Sequence, residues 1–293
     1  MRKLLITCLL ALFIFPFLSN AQTTDHNLRI MTYNIRYDDQ RDTPGSWSQR
    51  KEQVVGLLRY HHPDIIGTQE GLKHQLEYIQ DHLEGYERFG EGRRGGDEGE
   101  FSAIFYQTDR FAVLRHQTFW LSETPDKTGS KGWDAALPRI VTWGLLRDEQ
   151  TGREFYIFNT HFDHVGDTAR LESAGLLLQK IDEITNNSNI IVTGDFNFEE
   201  VSRPYRLLTG HGKHTGSTKL LDTYYYSEHS PHGPNATFSG FKVRPEQLNR
   251  RIDYIFVHPG ASLKVLQHAT LTDFSGGRFP SDHLPVVVDI VVE

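Results

Sequence analysis

Six apolar runs in this 293-residue sequence end on, or enclose, a residue that can ligate a cation or move a proton. Ile190-Ile191-Val192 feeds Gly194-Asp195-Phe196-Asn197. Ile30-Met31-Thr32-Tyr33 ends on Asn34, Ile65-Ile66-Gly67-Thr68-Gln69 on Glu70, and Phe155-Tyr156-Ile157-Phe158-Asn159-Thr160 on His161, with Asp163 and His164 just beyond. Asp253 stands inside Arg251-Ile252-Asp253-Tyr254-Ile255, and Ser281-Asp282-His283 directly precedes Leu284-Pro285-Val286. Each has a bland reading when taken alone. Gly, Asp and Asn favour turns, Glu70 before Gly71 suits the cap of a following helix, and a lone histidine is more often a satisfied, partly buried one. Asp253 resists that treatment, because a carboxylate within an apolar strand must be paired or bound. Six such places with the same polar character point to one site assembled where strands end.

The residue types narrow the chemistry. No Gly-x-Ser-x-Gly elbow, P-loop or Gly-x-Gly-x-x-Gly after a strand is present, which sets aside the common serine-hydrolase and nucleotide-fold signatures. Carboxylate and amide oxygens suit a hard cation such as Mg²⁺ or Mn²⁺. A histidine with an aspartate supplies a base and the partner that orients it. Together they suit attack of water on a phosphate ester, with a metal neutralising the developing charge.

These residues must be carried by strands and a few helices. Strand-like runs are expected at Leu28–Tyr37, Asp64–Gln69, Phe101–Gln107, Ala112–Leu121, Ile140–Arg147, Glu154–His161, Asn189–Gly194, Ile252–His258, Leu263–Leu271 and Pro285–Val292, several of them alternating apolar and polar residues. Arg147–Arg153 reads as a hairpin turn. Helices are expected at Gln49–Tyr60, Leu72–Leu83, Thr168–Ile184 and, as a short one, Arg203–Leu208, from apolar residues spaced three and four apart. So many strands exceed what one flat sheet handles well, and two packed sheets with helices outside accommodate them. Gly90–Gly99 and Gly210–Ser217 read as mobile surface loops.

The N-terminus reads as a leader. Arg2 and Lys3 precede an apolar run from Leu4 to Leu18 and then Ser19-Asn20-Ala21, a charged start, a hydrophobic stretch and a small-residue cleavage site. We expect a signal peptide over 1–21 and a single catalytic domain over 22–293, with export to the periplasm, surface or medium. Cys8 is the one cysteine and lies in that leader, so the mature chain would hold no disulfide, thiolate nucleophile or cysteine-ligated zinc. Without Arg2 and Lys3, 29 basic residues face 38 acidic ones, a net charge of −9, which argues against a broad basic groove for duplex nucleic acid.

Taken in order, Tyr33-Asn34-Ile35, Gln69-Glu70, Asn159-Thr160-His161, Gly194-Asp195-Phe196-Asn197, Arg251-Ile252-Asp253-Tyr254-Ile255 and Ser281-Asp282-His283-Leu284-Pro285 resemble the motifs of the endonuclease/exonuclease/phosphatase superfamily. The motifs span almost the whole mature chain. The resemblance implies a four-layer α/β sandwich, two mixed and mainly antiparallel sheets face to face with helices outside. It implies Glu70 as main Mg²⁺ (or Mn²⁺) ligand with Asn34 and Asp282 nearby, His283 as general base or water-polarising group, and Asp253 fixing its tautomer. Asp195 would orient or deprotonate the water, Asn197 hold a phosphate oxygen, and His161 donate to the phosphate or leaving oxygen. On this reading Asp195 and Asn197, two apart on an extended chain, face the same way.

Other residues have two readings each. Arg139 contacts substrate phosphate or forms a structural salt bridge. Asp38 and Asp39 add a metal-site carboxylate or lie in a surface loop. Trp47 and Arg50 line the pocket, or Trp47 staples the helix that follows. A small phosphorylated metabolite, acted on by a monomer, fits the acidic exported chain best. A nucleic acid is less favoured, and a membrane lipid would want an exposed apolar hairpin, for which Phe238–Phe241 is the candidate. A binding module that kept the fold and lost its chemistry is the reading from another class.

Overall fold

The computed structural model describes residues 27–41, 45–185, 188–212, 218–243, 248–258 and 263–292. The expected leader, with Cys8, and part of the Gly210–Ser217 loop lie outside these residues. The family-like fold expectation holds: two six-stranded sheets pack together, with helices on both outer faces.

The first sheet contains β1 (Leu28–Asn34), β2 (Ile65–Gln69), β3 (Tyr86–Phe89), β4 (Ile104–Gln107), β11 (Leu263–Thr270) and β12 (Val286–Val292), in the order β11-β12-β1-β2-β4-β3. The second contains β5 (Phe111–Trp120), β6 (Ile140–Asp148), β7 (Glu154–His161), β8 (Ile190–Asp195), β9 (Leu221–Asp222) and β10 (Asp253–His258), in the order β5-β6-β7-β8-β10-β9. Each sheet has one parallel pair, β1 with β2 and β7 with β8, and the remaining pairs are antiparallel. A parallel pair needs a crossover, and helices α1 (Trp47–His61) and α3 (Asp167–Thr185) supply them. Helices α2 (Lys73–His82), α4 (Arg203–Leu208) and α5 (Thr223–Tyr226) complete the described elements. The expected helices match α1 to α4 within two residues at each end.

Two short strands and one helix escaped the sequence reading. β3, Tyr-Glu-Arg-Phe, is too short to show alternation, and β9 is a two-residue ladder that exists only by pairing with β10. The four-residue α5 is started by Asp222, whose side chain accepts from the Tyr224 N–H at 3.0 Å.

Alternation along the strands sorts residues into three apolar layers. On β7, Tyr156 and Phe158 join the cluster under α3 and α4, whereas Phe155 and Ile157 join the layer between the sheets. On β1, Leu28 and Ile30 face that middle layer, and Met31 and Tyr33 face α1 and α2. Helix α3 buries Ala169, Ser173, Ala174, Leu177, Leu178 and Ile181, a stripe at spacings of three and four.

The middle layer changes character along its length. Following the period of two, β1 continues inward with Thr32 and Asn34, β7 with Asn159 and His161, and β8 with Ile191, Thr193 and Asp195. First comes a polar stitch. The Asn159 amide donates to the carbonyls of Thr68 at 2.8 Å and Ala103 at 2.9 Å, and its oxygen accepts from Gln69 Nε2 at 2.7 Å and Thr193 Oγ1 at 3.1 Å. A buried polar group is tolerable only when satisfied in this way. Gly67 faces this stitch, and a Cβ there would lie 2.3 Å from Thr193 Oγ1 and 2.7 Å from Asn159 Oδ1. Beyond the stitch the same inward positions become Asn34, His161 and Asp195.

Candidate active site

The parallel pairs put the C-terminal ends of β1, β2, β7 and β8 at one end of the sandwich, and antiparallel β10 and β12 deliver their starts there. Asp253 is therefore directly across from Asp195, and Asp282-His283 arrives just before β12. The structure thus brings together the nine principal site candidates from sequence: Asn34, Glu70, Arg139, His161, Asp195, Asn197, Asp253, Asp282 and His283. Apart from Asn34 and Asp253, which sit behind the wall, these residues line a cavity of about 730 Å³.

The centre is a chain of hydrogen bonds. His283 Nδ1 lies 2.8 Å from Asp253 Oδ2, which leaves Nε2 toward the cavity, 3.7 Å from Asp195 Oδ2. The Asn34 amide donates to the same Asp195 oxygen at 2.9 Å and to Glu70 Oε1 at 3.2 Å. Glu70 Oε2 accepts from the Tyr37 N–H at 3.0 Å. Ser281 Oγ donates to the Asn34 carbonyl at 2.7 Å, joining the end of β1 to the His283 loop. Asp253 Oδ1 is buried with no partner.

Backbone strain aims three side chains. Arg36, Glu70 and Asn197 have φ of 56°, 64° and 50°, a left-handed conformation uncommon for residues with a Cβ. Glu70 follows the inward-facing Gln69, so regular alternation would turn it toward the helices; the positive φ swings it into the cavity. Asn197 corrects the expectation from spacing. The strand stops at Asp195, so Asn197 reaches the site through a turn and not along an extended chain. Its N–H donates to Asp195 Oδ1 at 3.0 Å, and its amide donates to the Phe162 carbonyl at 3.0 Å and lies 3.1 Å from His161 Nε2.

Burial and charge set the protonation states. Asp195 is pushed up to about 7 by burial and by the facing Asp253 charge. Burial works against the His283 cation, yet Asp253 and Asp195 outweigh it and hold the imidazole well above its ordinary range. His161 is driven the other way by burial and by Arg139, which keeps it neutral. Burial raises Asp282 as well. For Glu70, burial is outweighed by Arg36 and His283, and its carboxyl lies below the usual range.

A dication fits this donor set. Glu70, His161 and Asp195 each offer an atom within 4.8 Å of the others, and Asp282 stands beside them, 3.7 Å from Arg36 Nε. Three buried carboxylates lean on few cations, and the raised Asp195 and Asp282 carboxyls register that shortage. Oxygen donors of this kind suit a hard ion. Asn34 presents its nitrogen to the acids, while its oxygen accepts from the Arg36 N–H at 3.0 Å.

The cavity wall holds residues to which sequence reasoning gave no role there: Arg36, Arg93, Glu100 and Arg250, with His164, noted only as following His161, and Phe238, noted only in the candidate membrane hairpin. Arg36 was legible in principle, two residues beyond Asn34. Arg93 and Glu100 were not, because the glycine-rich 90–99 segment, exposed at Arg94 and at 96–98, is shaped by its own hydrogen bonds and by contacts distant in the chain. It folds on itself through Gly92 N–H to the Gly96 carbonyl at 2.7 Å and Arg93 N–H to the Glu100 carbonyl at 2.9 Å, and Trp120 Nε1 donates to the Arg93 carbonyl at 2.8 Å. Phe101 then ties it to Gly71, next to Glu70.

Arg139 forms the structural salt bridge of one reading and stands at the cavity that the other reading requires. It lines the cavity while Nε lies 3.3 Å from Asp163 Oδ2 and Nη2 lies 2.9 Å from His164 Nδ1. Asp38 and Asp39 serve the loop: Asp38 accepts from the Trp47 N–H, and Asp39 pairs with Arg41 and Tyr37. Trp47 packs in the core under α1, and Arg50 donates to the carbonyls of Ile35, Arg36 and Gly45, clamping the chain after β1. Phe238–Phe241 is no membrane hairpin. Phe238 sits edge-to-face on the His283 ring at 5.2 Å, and Phe241 packs against Arg50 and Arg278. No described helix is long and apolar enough to cross a membrane.

Comparison with known proteins agrees with this arrangement. The family model described as "Endonuclease/Exonuclease/phosphatase family" matches residues 31–283. An endonuclease/exonuclease/phosphatase structure from Bacteroides vulgatus superposes with a TM-score of 0.84 at 37% identity, covering 91% of this chain and 99% of that one. The mannosyl-6-phosphatase of Bacteroides thetaiotaomicron superposes with a TM-score of 0.83 at 41% identity, covering 90% and 99%. Among curated proteins, Drosophila melanogaster nocturnin is 24% identical over 286 residues, and this chain spans only 42% of its length. The matched span runs from β1 to the His283 loop and takes in five of the six motifs and the Ser281-Asp282-His283 part of the sixth: the chain belongs to the endonuclease/exonuclease/phosphatase family and is a phosphoester hydrolase of its metal-dependent type.

Proposed function

We propose that this enzyme is an exported, monomeric, Mg²⁺- or Mn²⁺-dependent phosphatase that hydrolyses a small, hydroxyl-rich phosphate ester of the hexose 6-phosphate kind. The observation that carries this reading is the cavity. Arg36, Arg93 and Arg139 stand around the acid and histidine cluster, a set of cations suited to phosphate oxygens, in a space of bounded volume and on a chain of net negative charge. The mannosyl-6-phosphatase similarity supports the substrate class. The charged and apolar N-terminal pattern supports export.

In this mechanism Glu70 and Asp282 would hold the cation, while Asn34, whose amide donates to Glu70 and Asp195 and whose oxygen is taken by the Arg36 N–H, steadies those carboxylates rather than ligating it. A bound dication would neutralise charge on the phosphate's non-bridging oxygens and loosen the carboxylates' hold on the imidazole proton. Arg36 and Arg139 bind phosphate oxygens, and Asn197 donates to another. Asp195 orients the attacking water. His283 accepts its proton at Nε2, because Asp253 occupies Nδ1 and fixes ring and tautomer. His161, neutral and beside Asn197, hydrogen-bonds toward the leaving oxygen, and the proton that His283 takes from the water is the one passed to the departing alkoxide.

A panel of p-nitrophenyl phosphate, bis-p-nitrophenyl phosphate, hexose 6-phosphates, DNA and RNA, with Mg²⁺, with Mn²⁺ and with EDTA, tests the reading. Metal-dependent release of phosphate from the monoesters is expected. Turnover of diesters or nucleic acids alone would overturn it. N-terminal sequencing of protein recovered from outside the cytoplasm should begin near Gln22.

A further inference from the structure

Beside the phosphate-binding arginines the cavity wall carries an acid that hydrolysis does not require. Glu100 stands with Arg93, Arg139 and His161 around one recess. Its two oxygens pair side-on with Arg93, Oε2 at 2.8 Å from Nη1 and Oε1 at 2.6 Å from Nη2. The described hydrogen bonds to this carboxylate come from Arg93 alone. A carboxylate has about four lone-pair sites, so each oxygen keeps capacity for another donor. The pair is also rigidly mounted. The Arg93–Glu100 turn is closed by its own backbone, hung on Trp120 Nε1, and tied through Phe101 to Gly71 beside Glu70.

Burial and the Glu70 charge push the Glu100 carboxyl up to about 7, against the pull of Arg93; paired with Arg93 as a carboxylate, it repels a second phosphate and attracts hydroxyl donors. Building on the phosphatase reading above, we propose that Glu100, held by Arg93, is a specificity-determining residue that accepts hydrogen bonds from hydroxyls of the leaving alcohol, and so selects a monophosphorylated sugar or polyol over esters lacking those hydroxyls. A site built to pair with a hydroxyl rejects the analogue without it, because the acceptor capacity it presents then goes unmet. The guanidinium beside it would donate to the same hydroxyls, as an Arg–carboxylate pair presents donors and acceptors side by side.

The test compares hexose 6-phosphates with their monodeoxy analogues in wild type, Glu100→Gln and Glu100→Asp. The quantity read is the ratio of kcat/KM values within each protein, which partial misfolding of a variant does not change. In wild type one or two deoxy positions should be ten- to hundredfold poorer. In both variants that gap should shrink to within about threefold. A gap that persists in the variants, or no gap in wild type, overturns the proposal. Turnover of p-nitrophenyl phosphate by wild type separates the two levels. If it is present without a deoxy gap, the phosphatase reading stands and Glu100 selectivity falls; if wild type turns over no monoester, both fall.

Discussion

Replacing Asp253 with Asn removes a charge while leaving the shape. The carboxylate holds His283 Nδ1 at 2.8 Å from a position that is almost fully buried. A hydrogen bond to a charged group contributes about 1.5–3 kcal/mol, and each ~1.4 kcal/mol in the barrier is about tenfold in rate. The expected loss in kcat is therefore about 10- to 150-fold. KM should hold, because Asp253 does not line the cavity. Stability should fall, because the buried pairing of Asp253 with the His283 cation is lost; relief of the repulsion that pushes the facing Asp195 carboxyl up to about 7 offsets only part of that loss. Steady-state kinetics on p-nitrophenyl phosphate with saturating Mg²⁺, alongside a thermal melt, reads both quantities. A kcat within threefold of wild type would refute the assignment of His283 as a base positioned by Asp253. So would a rise in KM at constant kcat.

Other perturbations probe the metal, the core and the response to pH. Divalent ions at 100 times their dissociation constant should stabilise the protein by about 2.7 kcal/mol, seen as a rise in Tm that EDTA reverses; Glu70→Gln should abolish most of that rise, and an unchanged rise would move the metal site elsewhere. Gly67→Ala forces a methyl group against Thr193 and Asn159 and should destabilise by about 1–3 kcal/mol, measured by urea unfolding in the absence of substrate. His268 is buried against Thr223 and depressed to about 3. The unfolded chain takes up that proton below its ordinary pKa near 6.5 and the folded chain does not, so this contribution is lost as pH falls. Between pH 6.5 and 5 the loss is about 2 kcal/mol, and His268→Gln should flatten the stability curve by that one proton relative to wild type.

Much of the site was legible before any fold was known, for a physical reason. Strands alternate, so a polar residue at an inward position at a strand's end is conspicuous among Ile, Val and Phe. Asn34, His161, Asp195 and Asp253 all occupy such positions. The helices were legible because an apolar stripe such as Leu177, Leu178 and Ile181 recurs with the helical period. What stayed hidden depends on contacts distant in the chain. The Gly90–Gly99 segment reads as a loose loop locally, and only Trp120 and Phe101 turn it into a wall that presents Arg93 and Glu100. Arg251 sits in the same motif as Asp253 yet turns away to pair with Asp222 and Glu200, leaving its neighbour Arg250 to line the cavity.

Residue types and the period of two thus gave the roster of acids, amides and histidines and called for two packed sheets, because these are local properties written in strand ends, and the order of the motifs carried the resemblance that implied the family. Tertiary structure alone decided which oxygen faces which nitrogen. The left-handed turns at Arg36, Glu70 and Asn197, the register that sets Asp253 opposite Asp195, and the clamped Arg93–Glu100 wall all depend on how two sheets meet. No spacing within one segment encodes that meeting.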